Sequence, residues 1–172
     1  MRDTDDSAFE QLFQDHYAGL CAFTHTYVRE WAIAEELVGD VFFALWQRRD
    51  SLDPKQNLKA YLYTAARNAA LSHLRRRGLA DQIDEADARE VAGTVQPADA
   101  DVAYHELADA VDAAIAQLPA RAREVFTLSR EGGLSYAEIA ATLGISIKTV
   151  EANMTHALRI LREQLGSWLE RD

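Results

Sequence analysis

The stretch GLSYAEIAATLGISIKTVEANMTHALRILREQL, residues 133–165, specifies both a local shape and a surface for a partner. Within it, Ser135 precedes Glu138 by three residues, so each side chain can accept a hydrogen bond from the other's backbone N–H and start a helix. Gly144 then supplies the left-handed backbone conformation that ends a helix, because glycine has no side chain to hinder it. The pattern predicts one short helix between these points.

A second helix is predicted immediately after this turn. Ser146 is suited to cap it, and apolar residues then recur at intervals of three and four, which places them on one face. These residues are Val150, Met154, either Ala157 or Leu158, and Leu161. Two helices joined by a glycine turn indicate a helix-turn-helix, in which the second helix is of a size to enter the major groove of DNA. The alternative is an ordinary helical hairpin with a solvated outer face.

The surface that would face DNA consists of second-helix residues outside the apolar stripe. Together they offer both hydrogen-bond donors and acceptors, which the edges of bases require. They are Ser146, Lys148, Thr149, Glu151, Ala152, Asn153, Thr155, His156 and Arg159. The motif therefore predicts a DNA-binding role for the second half of the chain.

The composition is that of a folded, helical protein of 172 residues, with 48% hydrophobic and 27% charged residues. Eight Gly and three Pro leave few turns, which favours an all-α fold. No apolar run is long enough for a membrane span and the first residues are acidic, so neither a span nor a signal peptide is expected, and the predicted location is the cytoplasm. The single Cys21 excludes an internal disulfide and is expected to pack as a small apolar residue.

The net charge of -10 is unusual for a DNA-binding protein, so its distribution along the chain matters. Residues 1–50 carry 4 basic and 10 acidic groups, and residues 79–120 carry 1 and 10. Residues 51–78 carry 6 basic groups and 1 acidic group, whereas residues 121–172 carry 7 of each. Attraction to phosphate is therefore confined to one middle stretch and a few residues near the end, and the protein alone is expected to bind DNA weakly.

An amphipathic helix is predicted over residues 7–29, with Ser7 as its cap and Glu10 as the partner of that cap. Its core-forming residues are Phe9, Leu12, Phe13, Tyr17 and Leu20. His16 and His25 lie in this helix, but no Glu-x-x-His, His-Glu-x-x-His or Cys-x-x-Cys spacing accompanies them, so no metal site is predicted. Because a phosphate-binding glycine loop is also missing, the sequence argues against an enzyme and against a cofactor.

The next predicted helix, residues 32–48, carries more apolar residues than one face can bury. They are Leu37, Val38, Val41, Phe42, Phe43, Leu45 and Trp46. One interpretation is a helix buried on both sides within its own domain. The other is a docking helix whose second neighbour is a partner protein, with Glu35, Glu36 and Asp40 as a polar rim. A loop is predicted after it, over residues 50–56.

Residues 57–77 form a predicted helix with two distinct faces. The predicted core face consists of Leu58, Tyr61, Leu62, Ala65 and Ala69. The other face, whose cations and amide suit nucleic acid, consists of Thr64, Arg67, Asn68, Leu71 and Arg75. The arginines at 75–77 would also stabilise a helix C-terminus before Gly78, and on this pattern alone that structural role is favoured over a nucleic-acid surface.

Several motifs recur in a fixed order along the chain. In the first half they are AEELVGDVF (34–42), LKAYLYTAARN (58–68) and LRR (74–76). In the second half they are LP (118–119), REVF (123–126), LSYAEIA (134–140) and GISIKTV (144–150). In this order, separated by a short acidic stretch, they resemble the extracytoplasmic-function (ECF) sigma factors of bacterial RNA polymerase.

The resemblance implies an alternative sigma factor that binds core RNA polymerase and promoter DNA and directs transcription initiation. Residues 1–78 would form a domain that docks on polymerase and melts the minus-10 element, and residues 106–172 a domain that recognises the minus-35 element. Residues 79–105 would form a flexible acidic linker whose charge either only keeps it solvated, the favoured alternative, or also lets it thread a basic channel of polymerase. An anti-sigma factor as a further partner stays open, and no membrane insertion is implied.

The resemblance also implies three sets of site residues. The polymerase interface would consist of Glu36, Leu37, Asp40, Val41, Phe42 and Trp46. The minus-10 surface would consist of Asn57, Tyr61, Tyr63, Thr64, Arg67, Asn68 and Arg75. The minus-35 surface would consist of Ser146, Lys148, Thr149, Glu151, Asn153, His156 and Arg159. Tyr61 or Tyr63 would stack on a flipped base, and core packing is the alternative for both.

Two positions depart from the family pattern. Gly39 stands where a larger polar residue is usual, and an interior helical glycine costs about 1 kcal/mol relative to alanine. Residues 151–153 are Glu, Ala and Asn where basic residues are frequent, which affects the promoter sequence rather than the role. The competing interpretation is a stand-alone helix-turn-helix regulator with a helical sensing or dimerisation domain, which would share the second-half motif.

Overall fold

A computed structural model describes residues 2–53, 55–78 and 102–170. The helices in these ranges are α1 (Arg2–Val28), α2 (Trp31–Gln47), α3 (Leu58–Arg76), α4 (Val102–Ala116), α5 (Ala120–Arg130), α6 (Tyr136–Leu143) and α7 (Ile147–Leu169), with a short 3-10 helix at Arg49–Ser51. The described ranges contain no strand, so the predicted all-α fold is confirmed. None of the described helices is both long and apolar enough to cross a membrane.

The first three helices pack pairwise against one another. Their shared core contains Leu20 and Phe23 of α1, Val38 and Leu45 of α2, and Leu62 of α3, each at most 1% exposed. Burial of these large apolar side chains provides the main stabilisation of this half. The cluster also holds α2 in place along most of its length.

The first helix begins earlier than predicted. α1 starts at Arg2, so Ser7 and Glu10 lie inside the helix and do not form its N-terminal cap. The acidic residues Asp5 and Asp6 near its start favour the longer helix, because negative charge stabilises the positive end of the helix dipole. The predicted cap at Ser7 was therefore wrong.

The helix-turn-helix has the local geometry that its sequence predicts. Ser135 Oγ accepts a hydrogen bond from the Glu138 N–H at 3.2 Å, and a Glu138 carboxylate oxygen accepts one from the Ser135 N–H at 3.2 Å. Gly144 ends α6 with a φ of 67°. Ser146 then caps α7 by accepting a hydrogen bond from the Thr149 N–H at 3.1 Å. The predicted caps and turn are confirmed.

The apolar stripe of α7 packs against α4, α5 and α6. Its buried members are Val150, Met154, Ala157 and Leu161, each at most 8% exposed. Leu158 is 37% exposed, so Ala157 is the stripe residue at the position that the sequence left open. The small side chain of Ala157 allows close approach of α4 and α5, whose residues share a second cluster with it.

The helix α4 begins at Val102, inside the range 79–105 that was predicted to be a linker. Its apolar residues Val111 and Ile115 pack with Leu118 against α7. This packing of one apolar face stabilises the helix. The predicted linker therefore extended too far at its C-terminal end. Residues 79–101 lie outside the described residues.

The two halves of the chain share one core. A contiguous cluster of buried residues joins α1, α2 and α3 to α5, α6 and α7, with Leu20 and Tyr63 on the first side and Val125, Leu128 and Ile139 on the second. The helix α3 contacts α1 and α2 and also α6. The helix predicted to carry the minus-10 surface therefore has neighbours on two sides.

Candidate nucleic-acid interface

The predicted minus-35 residues lie on the outer side of α7. Lys148, Thr149 and Glu151 are exposed in its first turns, and Arg159 is exposed two turns further along. Ser146 is also exposed, but its hydroxyl is engaged as the N-cap and lies 2.8 Å from the hydroxyl of Thr149. The structure thus brings these residues together on a surface that no other described element covers.

The remaining two residues of this surface have partners within α7. The half-buried amide of Asn153 donates to the carbonyl of Thr149 at 2.9 Å. A guanidinium nitrogen of Arg159 lies 2.7 Å from Nδ1 of His156. Both contacts join residues three or four positions apart, so each group can exchange its partner for a base or a phosphate without a change in the helix.

The buried face of α3 differs from the predicted one. Its buried residues are Leu62, Tyr63, Ala66, Ala70 and Leu74. Of the predicted core residues only Leu62 is among them, whereas Leu58, Tyr61, Ala65 and Ala69 are partly buried and pack at its edge. All five predicted residues therefore contact the core, but the most buried residues are others, because periodicity locates one buried stripe and α3 is covered from two directions.

Tyr63, a predicted base-stacking residue, is fully buried. The centre of its ring lies 5.4 Å from that of Phe23, and its hydroxyl donates to the backbone carbonyl of Glu131 at 3.0 Å. Burial, followed by the nearby negative charge of Glu131, raises the pKa of the Tyr63 hydroxyl far above its usual value. Tyr63 is thus a neutral donor, and in this conformation the core-packing alternative holds for it.

Arg67 pairs with a buried carboxylate of the second half. Its Nε lies 3.0 Å from Oε1 of Glu124 on α5, and Nη1 of Arg121 lies 3.0 Å from Oε2. Tyr27 of α1 donates its hydroxyl to the same Oε1. The side chain of Glu124 is only 7% exposed. Burial, the largest single influence, disfavours the charged form of Arg67, but the Glu124 carboxylate and the Tyr27 hydroxyl together outweigh it and raise the pKa of Arg67.

Three further contacts continue between α3 and the second half. They join Asn57 Nδ2 to Glu138 Oε2 at 2.8 Å, Lys59 Nζ to the Gly133 carbonyl at 3.1 Å, and Thr64 Oγ1 to Thr142 Oγ1 at 3.3 Å. We call this contact surface the seam. On the side of the first half it consists of Asn57, Lys59, Tyr63, Thr64 and Arg67.

Four of the seven predicted minus-10 residues therefore lie in the seam. The other three are Tyr61, which is partly buried against the core, and Asn68 and Arg75, which are exposed. The structure brings the set together along α3, but the second half covers the portion nearer the start of the helix.

The predicted polymerase-binding residues of α2 divide into a buried and an exposed group. Leu37, Val41 and Phe42 are at most 8% exposed and belong to the core of their own half. Glu36 and Asp40 are exposed and Trp46 is half-buried. The interpretation of α2 as a helix buried within its own domain therefore describes most of its apolar residues.

An exposed aromatic residue that the predicted set omitted lies beside them. Phe43 is 61% exposed, and it follows Glu36 by seven positions and Asp40 by three, so the three share one side of α2. One turn further on, Trp46 lines a shallow cavity of about 330 Å³ with Phe9 and Phe13 of α1. Phe43 belongs to the same apolar run as the buried residues of α2. The sequence therefore did not indicate which residues of this run would be exposed.

The acceptor of Arg67 was also missed. Glu124 stands in the motif REVF, between the buried residues Ala122 and Val125, and is itself 5% exposed. A charged residue among buried neighbours is almost never left unpaired, so this position indicates a buried partner without naming it.

The chain matches two families of one class of protein: residues 12–79 match Sigma-70 region 2, and residues 108–161 match Sigma-70, region 4. It is 31% identical over 166 residues to the RNA polymerase sigma factor CarQ of Myxococcus xanthus, across 96% of this chain and 93% of that protein. This chain is an ECF RNA polymerase sigma factor. It is also 30% identical over 159 residues to the ECF sigma factor SigL of Mycobacterium tuberculosis, across 90% of this chain and 89% of SigL.

Solved structures of related sigma factors share its fold. The sigma factor RpoE of Bartonella quintana, in complex with the anti-sigma factor NepR, has a TM-score of 0.69 and 28% identity, across 92% of this chain and 97% of that one. CnrH, in complex with the cytosolic domain of CnrY, has a TM-score of 0.65 and 26% identity, across 94% of this chain and 90% of that one.

As a sigma factor, the protein binds core RNA polymerase and promoter DNA and directs transcription initiation. The helix-turn-helix of α6 and α7 falls within the region 4 match. The competing interpretation as a stand-alone regulator is not favoured, because the first half matches region 2 as well. Its family consists of sigma factors, which are not enzymes.

Proposed function

We propose that residues 1–78 dock this sigma factor on core polymerase and recognise and melt the minus-10 element, and that residues 106–172 recognise the minus-35 element in the cytoplasm. Residues 79–101, which precede the start of α4, connect the two activities. The main support is that each half presents a surface of suitable chemistry: an acidic and aromatic face on α2, and a face of mixed donors and acceptors on α7.

The docking surface is the exposed side of α2. Glu36, Asp40 and Phe43 share this side, and the cavity around Trp46 lies next to it, with Asp6 and Glu10 at its edge. An exposed aromatic residue surrounded by carboxylates suits a partner surface with an apolar pocket and basic neighbours. Leu37, Val41 and Phe42 act on docking indirectly, because they hold α2 against α1.

Neighbouring phenylalanines provide the test of this surface. Phe43→Ala is expected to weaken association with core polymerase by about 2 kcal/mol or roughly 30-fold, and to leave the melting temperature nearly unchanged. Phe42→Ala is expected to lower the free energy of unfolding by about 3 kcal/mol or more, because Phe42 is 3% exposed. The measurements are thermal unfolding and titration of fluorescently labelled sigma factor with core polymerase.

Leu158→Ala provides the control for loss of an exposed apolar side chain, since Leu158 is 37% exposed on α7. It should affect neither quantity strongly. Normal affinity for core polymerase in Phe43→Ala, together with normal affinity in Asp40→Lys, would show that this side of α2 is not the docking surface.

The promoter-binding surfaces are α7 for the minus-35 element and α3 with the preceding loop for the minus-10 element. On α7, Glu151 is placed to accept from cytosine and Asn153 to pair with adenine. On α3, Asn68 and Arg75 are exposed and can contact the backbone of the DNA strand. Tyr61 is more accessible than Tyr63. In vitro transcription with core polymerase on a promoter library would identify both elements, and an absence of any start site would contradict the assignment.

An anti-sigma factor is a further proposed partner. Support comes from two related sigma factors, RpoE and CnrH, whose solved structures are complexes with NepR and with the cytosolic domain of CnrY. Co-purification of the tagged sigma factor from its native cells, followed by competition between the captured protein and core polymerase, is the test. A captured protein that leaves polymerase binding unchanged would not be an anti-sigma factor.

A further inference from the structure

A glycine lies in the middle of α2, on the exposed side of the helix. Gly39 is the ninth of the 17 residues of α2, where glycine is less stabilising than alanine because it has more backbone freedom to lose on folding. Its φ is not in the left-handed region, and a Cβ atom added to it would meet nothing within 4 Å. Neither backbone conformation nor packing within the described residues therefore requires glycine at this position.

The other glycines of the described ranges differ from Gly39. Three of them have positive φ angles, which glycine adopts most easily: Gly78, Gly133 and Gly144. Gly19 and Gly132 leave room for Tyr63, since an added Cβ would lie 2.5 Å from its hydroxyl and 3.1 Å from its ring, respectively. Gly166 has free space around it, but it lies in the last turn of α7, where helices fray. Within the described ranges, Gly39 is thus the helix-interior glycine that the fold itself does not explain.

Gly39 lies at the centre of the proposed docking surface. Glu35 and Glu36 precede it by four and three positions and Phe43 follows it by four, so these side chains surround it on one side of α2. All three are exposed. We call the gap that they bound the notch. Because Gly39 has no side chain, a partner can approach the backbone of α2 more closely in the notch than beside any other residue type.

The charge around the notch indicates the chemistry of its partner. The helix α2 carries three acidic residues, Glu35, Glu36 and Asp40, and no basic residue. All three are exposed, and none of them forms an ion pair within the part of the chain that the structure describes. Unpaired carboxylates beside an exposed aromatic ring favour a partner with cations around an apolar group. They disfavour a second copy of the same face, because like charges would meet.

We propose that a segment of core polymerase packs across α2 at the notch, with a bulky apolar side chain seated on the Gly39 backbone beside Phe43 and flanking cations paired with the carboxylates. This inference rests on the proposed docking role of α2. Gly39 acts as a positioning residue, because the close approach that it permits brings Phe43 and the carboxylates into contact together. The spacing between packed elements depends on the side chains at their contact. Glycine thus lowers the stability of α2 but allows a closer interface.

A single methyl group in the notch separates docking from folding. Gly39→Ala is expected to raise the melting temperature by about 2 to 4 °C, because alanine is the better helix former and displaces no atom of the chain. The same methyl group should weaken association with core polymerase about tenfold, as overpacking of a fitted contact does. Gly39→Leu should weaken it about a hundredfold. The measurements are thermal unfolding and titration of fluorescently labelled sigma factor with core polymerase.

Gly166 provides the matched controls. A Cβ added there also meets nothing within 4 Å, but the residue lies on α7, outside the proposed docking surface. Neither Gly166→Ala nor Gly166→Leu should change the affinity for core polymerase by more than about twofold. A loss of affinity in these controls equal to that of the Gly39 variants would overturn the notch.

A double-mutant cycle tests whether Gly39 and Phe43 contact the same segment of core polymerase. In a Phe43→Ala background the segment is no longer held beside the notch, so Gly39→Ala should weaken association by less than about threefold instead of about tenfold. A change in helix stability alone would not produce this coupling. An equal loss in both backgrounds would overturn the shared contact.

The outcomes separate this inference from the docking role on which it rests. Unchanged affinity in both Gly39 variants, with reduced affinity in Phe43→Ala and Asp40→Lys, would overturn the notch and leave the docking surface in place. Unchanged affinity in all four would overturn both. A lower melting temperature in Gly39→Ala would show that the fold itself requires glycine. Self-association of the natural protein that Gly39→Leu abolishes, with unchanged affinity for polymerase, would assign the notch to a second copy and overturn the proposal.

Discussion

The proposed DNA-binding faces of α3 and α7 differ in how exposed they are in the folded protein. Arg67 on α3 is 19% exposed in its side chain and paired with Glu124, whereas Arg159 on α7 is exposed and contacts His156 of its own helix. Both carry cations and amides suited to nucleic acid, so their composition does not distinguish them. The comparison shows that the availability of such a surface is set by contacts between distant parts of the chain.

The largest expected effect concerns the buried group that covers α3. Glu124→Ala leaves Arg67, Arg121 and the Tyr27 hydroxyl without their common acceptor, and should lower the free energy of unfolding by about 3 kcal/mol or more. Urea denaturation is the measurement. Glu163→Ala, at an exposed position of α7, should change it by less than about 0.5 kcal/mol. Equal losses of stability in the two variants would mean that Glu124, which covers α3, contributes no more to stability than an exposed carboxylate on α7.

A smaller effect is expected on the free face. Asn153→Ala should lose roughly 1 to 3 kcal/mol of binding at preferred promoters and relax specificity, because an amide that pairs with a base edge discriminates between bases. Arg159→Ala should weaken binding similarly at all sites and flatten the dependence on salt, as expected for a phosphate contact. The measurement is the affinity of the polymerase holoenzyme for promoter variants at several salt concentrations. The opposite pattern would mean that α7 is placed differently in the groove.

The smallest expected effect is a pH dependence at His25 of α1. His25 stacks on Trp31 with ring centres 4.1 Å apart, and burial lowers the pKa of His25, although Asp112 of α4 opposes this and Arg29 adds to it. The folded state therefore binds fewer protons than the unfolded state near this group's usual pKa of 6.5. Stability should be complete above that pH and decrease as the pH falls below it.

The test is urea denaturation at about pH 7.5 and pH 5.5. His25→Gln should lose less stability across this range than the natural protein. His16, whose pKa burial also lowers, remains in both proteins and does not affect the difference. Burial raises the pKa of Asp112 from its usual value of 3.8, which changes stability with pH in the opposite direction. An identical decrease in both proteins would show that His25 does not titrate differently on folding.

Most of the local structure could be predicted from the sequence. The caps at Ser135 and Ser146 and the turn at Gly144 depend on residues within four positions of each other, so their side chains determine the backbone directly. The start of α1 was mispredicted, because two features suited to a helix start, Ser7 and the preceding acidic residues, compete within a few positions. The choice between Ala157 and Leu158 required the packing of α4 and α5.

The sequence by itself determined the all-α fold, the helix-turn-helix and the sigma-factor family, because periodicity, caps and ordered motifs are local or linear properties of a chain. Only the tertiary structure decided which side of α3 is covered, that Phe43 rather than Phe42 faces outward, and that Glu124 receives Arg67. The hydrogen bonds between the halves join residues 57 to 97 positions apart. The spacing of residues along the sequence cannot predict such distant contacts. They depend on how whole helices pack and on the space that Gly19 and Gly132 leave for Tyr63.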